Sequence, residues 1–171
     1  LNASIFFDFR CLWGNTALVE SLRAWLAERS KKSKIFLHWM ATNALQSAPP
    51  LGMVRDFVVE DGGEFAGSID LKTSGARLFA DAARVYALAS GTTETNTAER
   101  LRHSGAQLGI PSEETEAVVS GFHFIQLLRL RQQHLRPERK YPASNYLNPD
   151  ELNELDRRIL KEAFRQARKL Q

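Results

Sequence analysis

The residue pattern with the clearest capacity for chemistry is a short charged stripe. Arg77, Asp81 and Arg84 occupy positions i, i+4 and i+7 of an otherwise apolar segment, and this spacing places the three side chains along one face of a helix. One interpretation is a solvated stripe in which Asp81 pairs with both arginines, worth a few tenths of a kcal/mol per pair. The other is a cationic stripe that faces a cleft, where arginine can hold a phosphate group through two parallel hydrogen bonds. The pattern alone leaves both open.

A second candidate is Asp8, which lies in the apolar opening segment, residues 4–10. Apolar side chains occupy both odd and even positions of this segment, a pattern typical of a β-strand covered on both faces. We therefore expect the strand to belong to a larger sheet, most of which this chain does not contain. Asp8 is then either a metal-binding carboxylate at a sheet edge or the salt-bridge partner of Arg10.

Other chemistries find no support in the sequence. The single cysteine, Cys11, excludes an intrachain disulfide and favours a reducing, cytoplasmic location. There is no His-x-x-x-His pair and no glycine-rich phosphate loop. A net charge of +3 with interleaved acids and bases argues against nucleic acid as a partner. No apolar run reaches the length that a membrane span requires, so we expect no membrane partner.

The surrounding elements are predicted to be mainly helical. Apolar periodicity and capping residues predict six helices in an antiparallel bundle. Short apolar runs on either side of Asp61-Gly62-Gly63 predict a small β-hairpin near residues 57–71. The last helix is predicted to start from Asn148, with Pro149 in its first position. The predicted helices span residues 16–29, 33–47, 73–90, 97–108, 112–136 and 149–170.

Several blocks of the chain, in the same order, resemble the C-terminal domain of a family described as nucleotidyltransferases. The blocks are "PPLGMVRDFVVE", "IDLKTSGARLFADAARVYALASG", "NTAERLR", "FHFIQLLRLRQQ" and "NYLNPDELNELDRRILKEAFRQARKLQ". In that family this helical domain is described as substrate-binding. It follows a catalytic domain similar to that of protein-PII uridylyltransferase, and cyclic-nucleotide-binding and CBS domains often stand further upstream.

The resemblance implies a division of the chain and a partner domain. Residues 1–14 would be the remnant of the last strand of the upstream catalytic domain, and residues 15–171 the substrate-binding domain. The family's catalytic signature, a Gly-Ser loop followed by Asp-x-Asp, is absent from this chain. The chain alone is therefore expected to be inactive, while the parent protein would be a nucleotidyltransferase.

The resemblance also implies roles for the candidate residues. The reaction would transfer a nucleoside monophosphate from an NTP to a protein or small-molecule acceptor, with Mg²⁺ held by carboxylates. Related enzymes place a third carboxylate on the last strand, which makes Asp8 a candidate. Lys72, Arg77, Asp81 and Arg84 would face the catalytic cleft and contact the nucleotide or the acceptor.

A second hypothesis from a different class remains open. The chain would be a non-catalytic bundle that dimerises or relays signals from upstream CBS or cyclic-nucleotide-binding domains, a role in signal transduction. The long helix 112–136 and the apolar stripe of 149–170 would then supply a symmetric homodimer interface.

Overall fold

The computed structural model describes residues 6–53, 56–134 and 144–171. Six α-helices lie within these ranges, which confirms the predicted mainly helical fold. In chain order the helices are α1 (Thr16–Lys32), α2 (Lys34–Ala44), α3 (Arg77–Ser90), α4 (Thr97–Gln107), α5 (Ser112–His134) and α6 (Glu154–Leu170).

Asparagine side chains fix where three of the helices begin. Asn15 Oδ1 accepts a hydrogen bond from the Ala17 amide at 3.0 Å, and Asn96 Oδ1 accepts from the second and third amides of α4. Asn153 does the same for α6 through the Asp156 amide. Each cap satisfies amide groups that have no partner within the helix. Gly91 ends α3 with a φ of 81°, a left-handed conformation that favours glycine.

The chain forms two compact units. The first contains the described residues of 1–46 together with residues 80–116. Its buried apolar residues are mostly alanines, with Met40, Leu88 and Leu101. The helical spacing of Leu18, Leu22 and Trp25 correctly predicts α1, yet these side chains are exposed, Trp25 to 56%.

The second unit, residues 47–79 and 117–171, has a core of larger side chains. Its largest fully buried side chains are Leu71, Phe79, Val119, Ile125, Leu128, Leu147, Leu160 and Phe164. Helices α5 and α6 approach closely at Gly121, where an added Cβ would lie 3.2 Å from Ala163 Cα. The absence of a side chain at Gly121 permits this spacing.

The second unit also contains a two-stranded antiparallel sheet. Strand β1 (Ile69–Asp70) pairs with β2 (Tyr146–Leu147), with Ile69 opposite Leu147. The segment 57–71 turns back on itself as predicted, since the Glu60 amide donates to Ser68 O and the Gly67 amide donates to Glu60 O. The partner of β1 was not predicted, because β2 lies far along the chain.

The structure corrects the predicted opening strand and the predicted start of the last helix. Within the predicted opening strand, residues 6–8 form a 3₁₀ turn, while residues 4 and 5 lie outside the described residues. The Asn148 cap starts a 3₁₀ turn, Pro149–Glu151, instead of the last helix. Helix α6 begins after Asn153, because this second asparagine caps it. The predicted end of the long helix, near residue 136, lies outside the described residues.

Candidate functional site

The segment that carries the predicted stripe starts at Asp70. The Asp70 carboxylate accepts hydrogen bonds from the amides of Lys72 and Thr73, at 2.8 and 3.1 Å. These bonds turn the chain out of β1 and into a π-helical turn, Lys72–Ala76, which leads directly into α3. A π-helical turn beside a helix is often found at functional sites.

The predicted substrate-binding residues differ in their exposure and in the compact unit to which they belong. Lys72 and Arg77 are exposed, Asp81 is half-buried and Arg84 is buried. Arg84 Nη1 donates to Asp81 Oδ1 at 2.7 Å, so the pairing that the spacing indicated is present for these two residues. Lys72 and Arg77 belong to the second compact unit, and Asp81 and Arg84 belong to the first.

Asp8 is hydrogen-bonded to Arg84 and to Arg100, a residue that no sequence pattern singles out. Arg84 Nε donates to Asp8 Oδ1 at 3.2 Å, and its Nη2 donates to Oδ2 at 2.6 Å, a bidentate pair. Arg100 Nη1 donates to Asp8 Oδ1 at 2.6 Å. Three guanidinium N–H groups therefore converge on one carboxylate.

Arg100 lies in the first turns of α4 and is held at three points. In addition to the bond with Asp8, its Nε donates to Glu94 O at 2.6 Å and its Nη2 donates to Phe7 O at 3.2 Å. Asp8 is 92 residues away in sequence, and no periodicity connects the two. The one sequence signal for Arg100 is its position near the positive N-terminal end of a predicted helix, where a cation is disfavoured.

Aromatic contacts position the segment that carries Asp8. The Phe7 ring lies 5.2 Å from the Phe36 ring of α2, and Phe6 lies 5.5 Å from Phe9. These contacts anchor the 3₁₀ turn without strand pairing. As a result, the Asp8 side chain points toward α3 and α4, with 31% of its surface exposed.

The cluster of Asp8, Asp81, Arg84 and Arg100 pairs two carboxylates with two guanidinium groups. Partial burial opposes ionisation of Asp8, but hydrogen bonds from Arg84 and Arg100 outweigh it, so the pKa of Asp8 lies below its usual value. Burial likewise opposes the charge on Arg84, yet its bonds to Asp8 and Asp81 raise the pKa of its guanidinium group. Asp8 and Arg84 are therefore both charged at neutral pH.

The surroundings of Asp8 do not fit Mg²⁺. This cation requires oxygen ligands in near-octahedral arrangement, whereas both oxygens of Asp8 accept hydrogen bonds from arginines. Two buried cations beside the carboxylate would also repel a metal ion. Within residues 6–53, 56–134 and 144–171, no group of three or more His, Cys, Asp or Glu side chains could hold a metal. In this arrangement Asp8 forms ion pairs with Arg84 and Arg100.

A small cavity adjoins the cluster in the first unit. Its volume is about 30 Å³, and its lining includes Phe7, Arg23, Thr92 and Arg100. At roughly 15 Å³ for each water molecule, this space holds about two waters. Of the four residues of the cluster, only Arg100 lines this cavity.

Comparison with known proteins places most of the chain in one family. No curated protein and no solved structure matches the chain. Over the part of the chain that the structure describes, no helix combines the length and apolar character needed to cross a membrane. A family model does match residues 34–171, the region from α2 to the end of α6. The chain therefore belongs to the family described as "putative nucleotidyltransferase substrate binding domain".

Proposed function

We propose that this chain binds the substrates of a nucleotidyltransferase and holds them for transfer of a nucleoside monophosphate from an NTP to an acceptor. The observation that carries the proposal is the family match over residues 34–171. Exposed cations on that matched region support it, because triphosphates are bound chiefly by arginine, lysine and backbone amides. Lys72 and Arg77 are both exposed, five residues apart on one helical segment.

The proposed division of labour gives the bond-making step to another domain of the same protein. That domain would carry the Gly-Ser loop and the Asp-x-Asp pair, and Mg²⁺ would be bound there. The similarity of the family's catalytic domain to that of protein-PII uridylyltransferase motivates this part of the proposal. The domains that often stand upstream in the family motivate regulation by CBS or cyclic-nucleotide-binding domains, and the single cysteine motivates a cytoplasmic location. This chain would supply cations that bind phosphate oxygens and orient the triphosphate.

Substitution of the exposed cations tests the proposal in the intact protein. Lys72→Gln and Arg77→Gln together should weaken NTP or acceptor binding and lower turnover by about tenfold or more, since each charge-assisted hydrogen bond is worth roughly 1.5–3 kcal/mol. Arg165→Gln is the matched control, because Arg165 is also an exposed arginine on a helix of this domain. Unchanged binding and turnover in the double variant would show that Lys72 and Arg77 do not bind the NTP or the acceptor.

Exposed apolar residues favour a second candidate function, dimerisation or signal relay. On α6, Leu155 and Ile159 are 66% and 38% exposed, and on α5 Leu127 and Leu130 are exposed as well. Apolar stripes of this kind are typical of helix–helix interfaces between subunits. Light scattering on concentrated protein tests this role. A dimer that dissociates in Leu155→Glu supports it, and a monomer at high concentration contradicts it.

A further inference from the structure

We infer that Arg84 and Arg100 form an oxyanion-binding site, that the Asp8 carboxylate is its internal occupant, and that a phosphate group of a nucleoside triphosphate can replace Asp8. The inference rests on the proposed function for the source of the phosphate. The site itself rests on the geometry of the cluster.

The donor arrangement suits a phosphate group as well as it suits a carboxylate. Arg84 presents Nε and Nη2 side by side to the two oxygens of Asp8, and Arg100 Nη1 approaches one of them from another helix. Two oxygens of a phosphate have similar spacing and accept the same fork of donors. Remaining bonds from Arg84 to Asp81 and from Arg100 to Glu94 O hold both guanidinium groups in place. The donors are therefore preorganised independently of Asp8.

Burial explains why the site requires an anion. Only 7% of Arg84 and 5% of Arg100 are exposed. A buried cation without a partner is costly, and Asp81 neutralises only one of the two charges. Without Asp8, the pair would carry one excess positive charge that faces the former position of the carboxylate.

The attachment of Asp8 makes replacement feasible. Its segment forms a 3₁₀ turn held by aromatic contacts, and its side chain is more exposed than either arginine. The Asp8 carboxylate already accepts the three N–H donors that a phosphate group would use, so the two groups cannot occupy the site together. Binding is therefore competitive, and Asp8 lowers the affinity of the site for external anions.

Neutralisation of Asp8 in the 171-residue chain tests the inference. The probes are inorganic tripolyphosphate, ATP and UTP, titrated calorimetrically at fixed ionic strength. We expect Asp8→Asn to bind tripolyphosphate and at least one nucleotide about tenfold tighter than the wild type. Asp8→Glu, which retains an internal carboxylate, should show no such gain. Adding Arg84→Gln to Asp8→Asn should abolish the gain.

Asp56→Asn is the matched control. Asp56 also pairs with two cations, Arg157 and Lys161, but in the second unit, where the two cations are more exposed than Arg84 and Arg100. If Asp8→Asn gains no more affinity than Asp56→Asn, the inference is overturned. Circular dichroism checks the fold of each variant. If Asp8→Asn does not fold, the wild type replaces it: phosphate-induced shifts of the Arg84 and Arg100 Nε–H resonances support the site, and their absence overturns it.

The probes separate the source of the phosphate from the site itself. A gain for both tripolyphosphate and a nucleotide supports the full inference. A gain for tripolyphosphate alone overturns the nucleotide as ligand. If Asp8→Asn gains nothing while the Lys72 and Arg77 variants lose NTP binding in the intact protein, this inference fails and the proposed function stands.

Discussion

Asp8 and Arg84 are 76 residues apart in sequence and are joined by two parallel hydrogen bonds, of 3.2 and 2.6 Å. This bidentate pair attaches the opening segment to α3. Arg100 extends the attachment to α4 through the same carboxylate. The cluster thus combines a structural role with a preorganised set of anion-binding donors.

The fork geometry of Arg100 should matter for stability beyond its charge. Arg100→Lys keeps the charge but cannot reproduce the bonds to Asp8, Phe7 O and Glu94 O. We expect a loss of about 2 kcal/mol in the free energy of unfolding, measured by urea denaturation. Arg102→Lys is the control, since Arg102 forms an equally forked pair with Glu116 at the exposed surface. An equal loss in the two variants would mean that burial of the Arg100 hydrogen bonds adds nothing to the free energy of unfolding.

The stability contributed by Asp8 should disappear in acid. The pKa of Asp8 is lower in the folded chain than its ordinary value of 3.8, so the unfolded chain binds the proton more readily in this range. The contribution is therefore complete above about pH 4 and is lost as the pH falls through the folded pKa. We expect the wild type to exceed Asp8→Asn in stability by about 2 kcal/mol at pH 7. Urea denaturation from pH 7 to pH 2 should show this difference in stability shrinking. A constant or widening difference would contradict a lowered pKa of Asp8 in the folded chain.

The close approach of α5 and α6 should make Gly121 intolerant of a side chain. Alanine is favoured over glycine inside a helix by about 1 kcal/mol, yet a Cβ at this position would lie 3.2 Å from the backbone of Ala163. We expect Gly121→Ala to destabilise the chain by roughly 1–3 kcal/mol through overpacking, measured by thermal or urea unfolding. Gly62→Ala, where no atom lies within 4 Å, should be close to neutral. A stabilised Gly121→Ala variant would contradict the packing described for the two helices.

Local signals in the sequence predict the positions of the helices well and the burial of their side chains poorly. The caps at Asn15 and Asn96 and the end at Gly91 depend on neighbouring residues, so they were predictable. Asn148 resembled a cap equally well, but a second asparagine five residues later starts α6 instead. The exposure of Trp25 shows that periodicity identifies a helix face without identifying what covers it.

Long-range relationships could not be predicted from periodicity. The pairing of β1 with β2 and the convergence of Asp8, Arg84 and Arg100 join residues that are far apart in the chain. The spacing of Arg77, Asp81 and Arg84 predicted a shared helix face, but not that Arg84 would be buried while Arg77 is exposed. Burial of Arg84 depends on α4 and on the opening segment, neither of which is visible in the stripe itself.

Calorimetric titration of ATP, UTP, GTP and CTP into the intact protein measures whether this domain binds a nucleoside triphosphate. We expect saturable binding of at least one triphosphate, with a dissociation constant below about 1 mM, weakened about tenfold by Lys72→Gln with Arg77→Gln. The same titration with Arg165→Gln should match the wild type. If none of the four triphosphates binds saturably up to roughly 10 mM, ten times that limit, the domain does not bind nucleoside triphosphates as proposed.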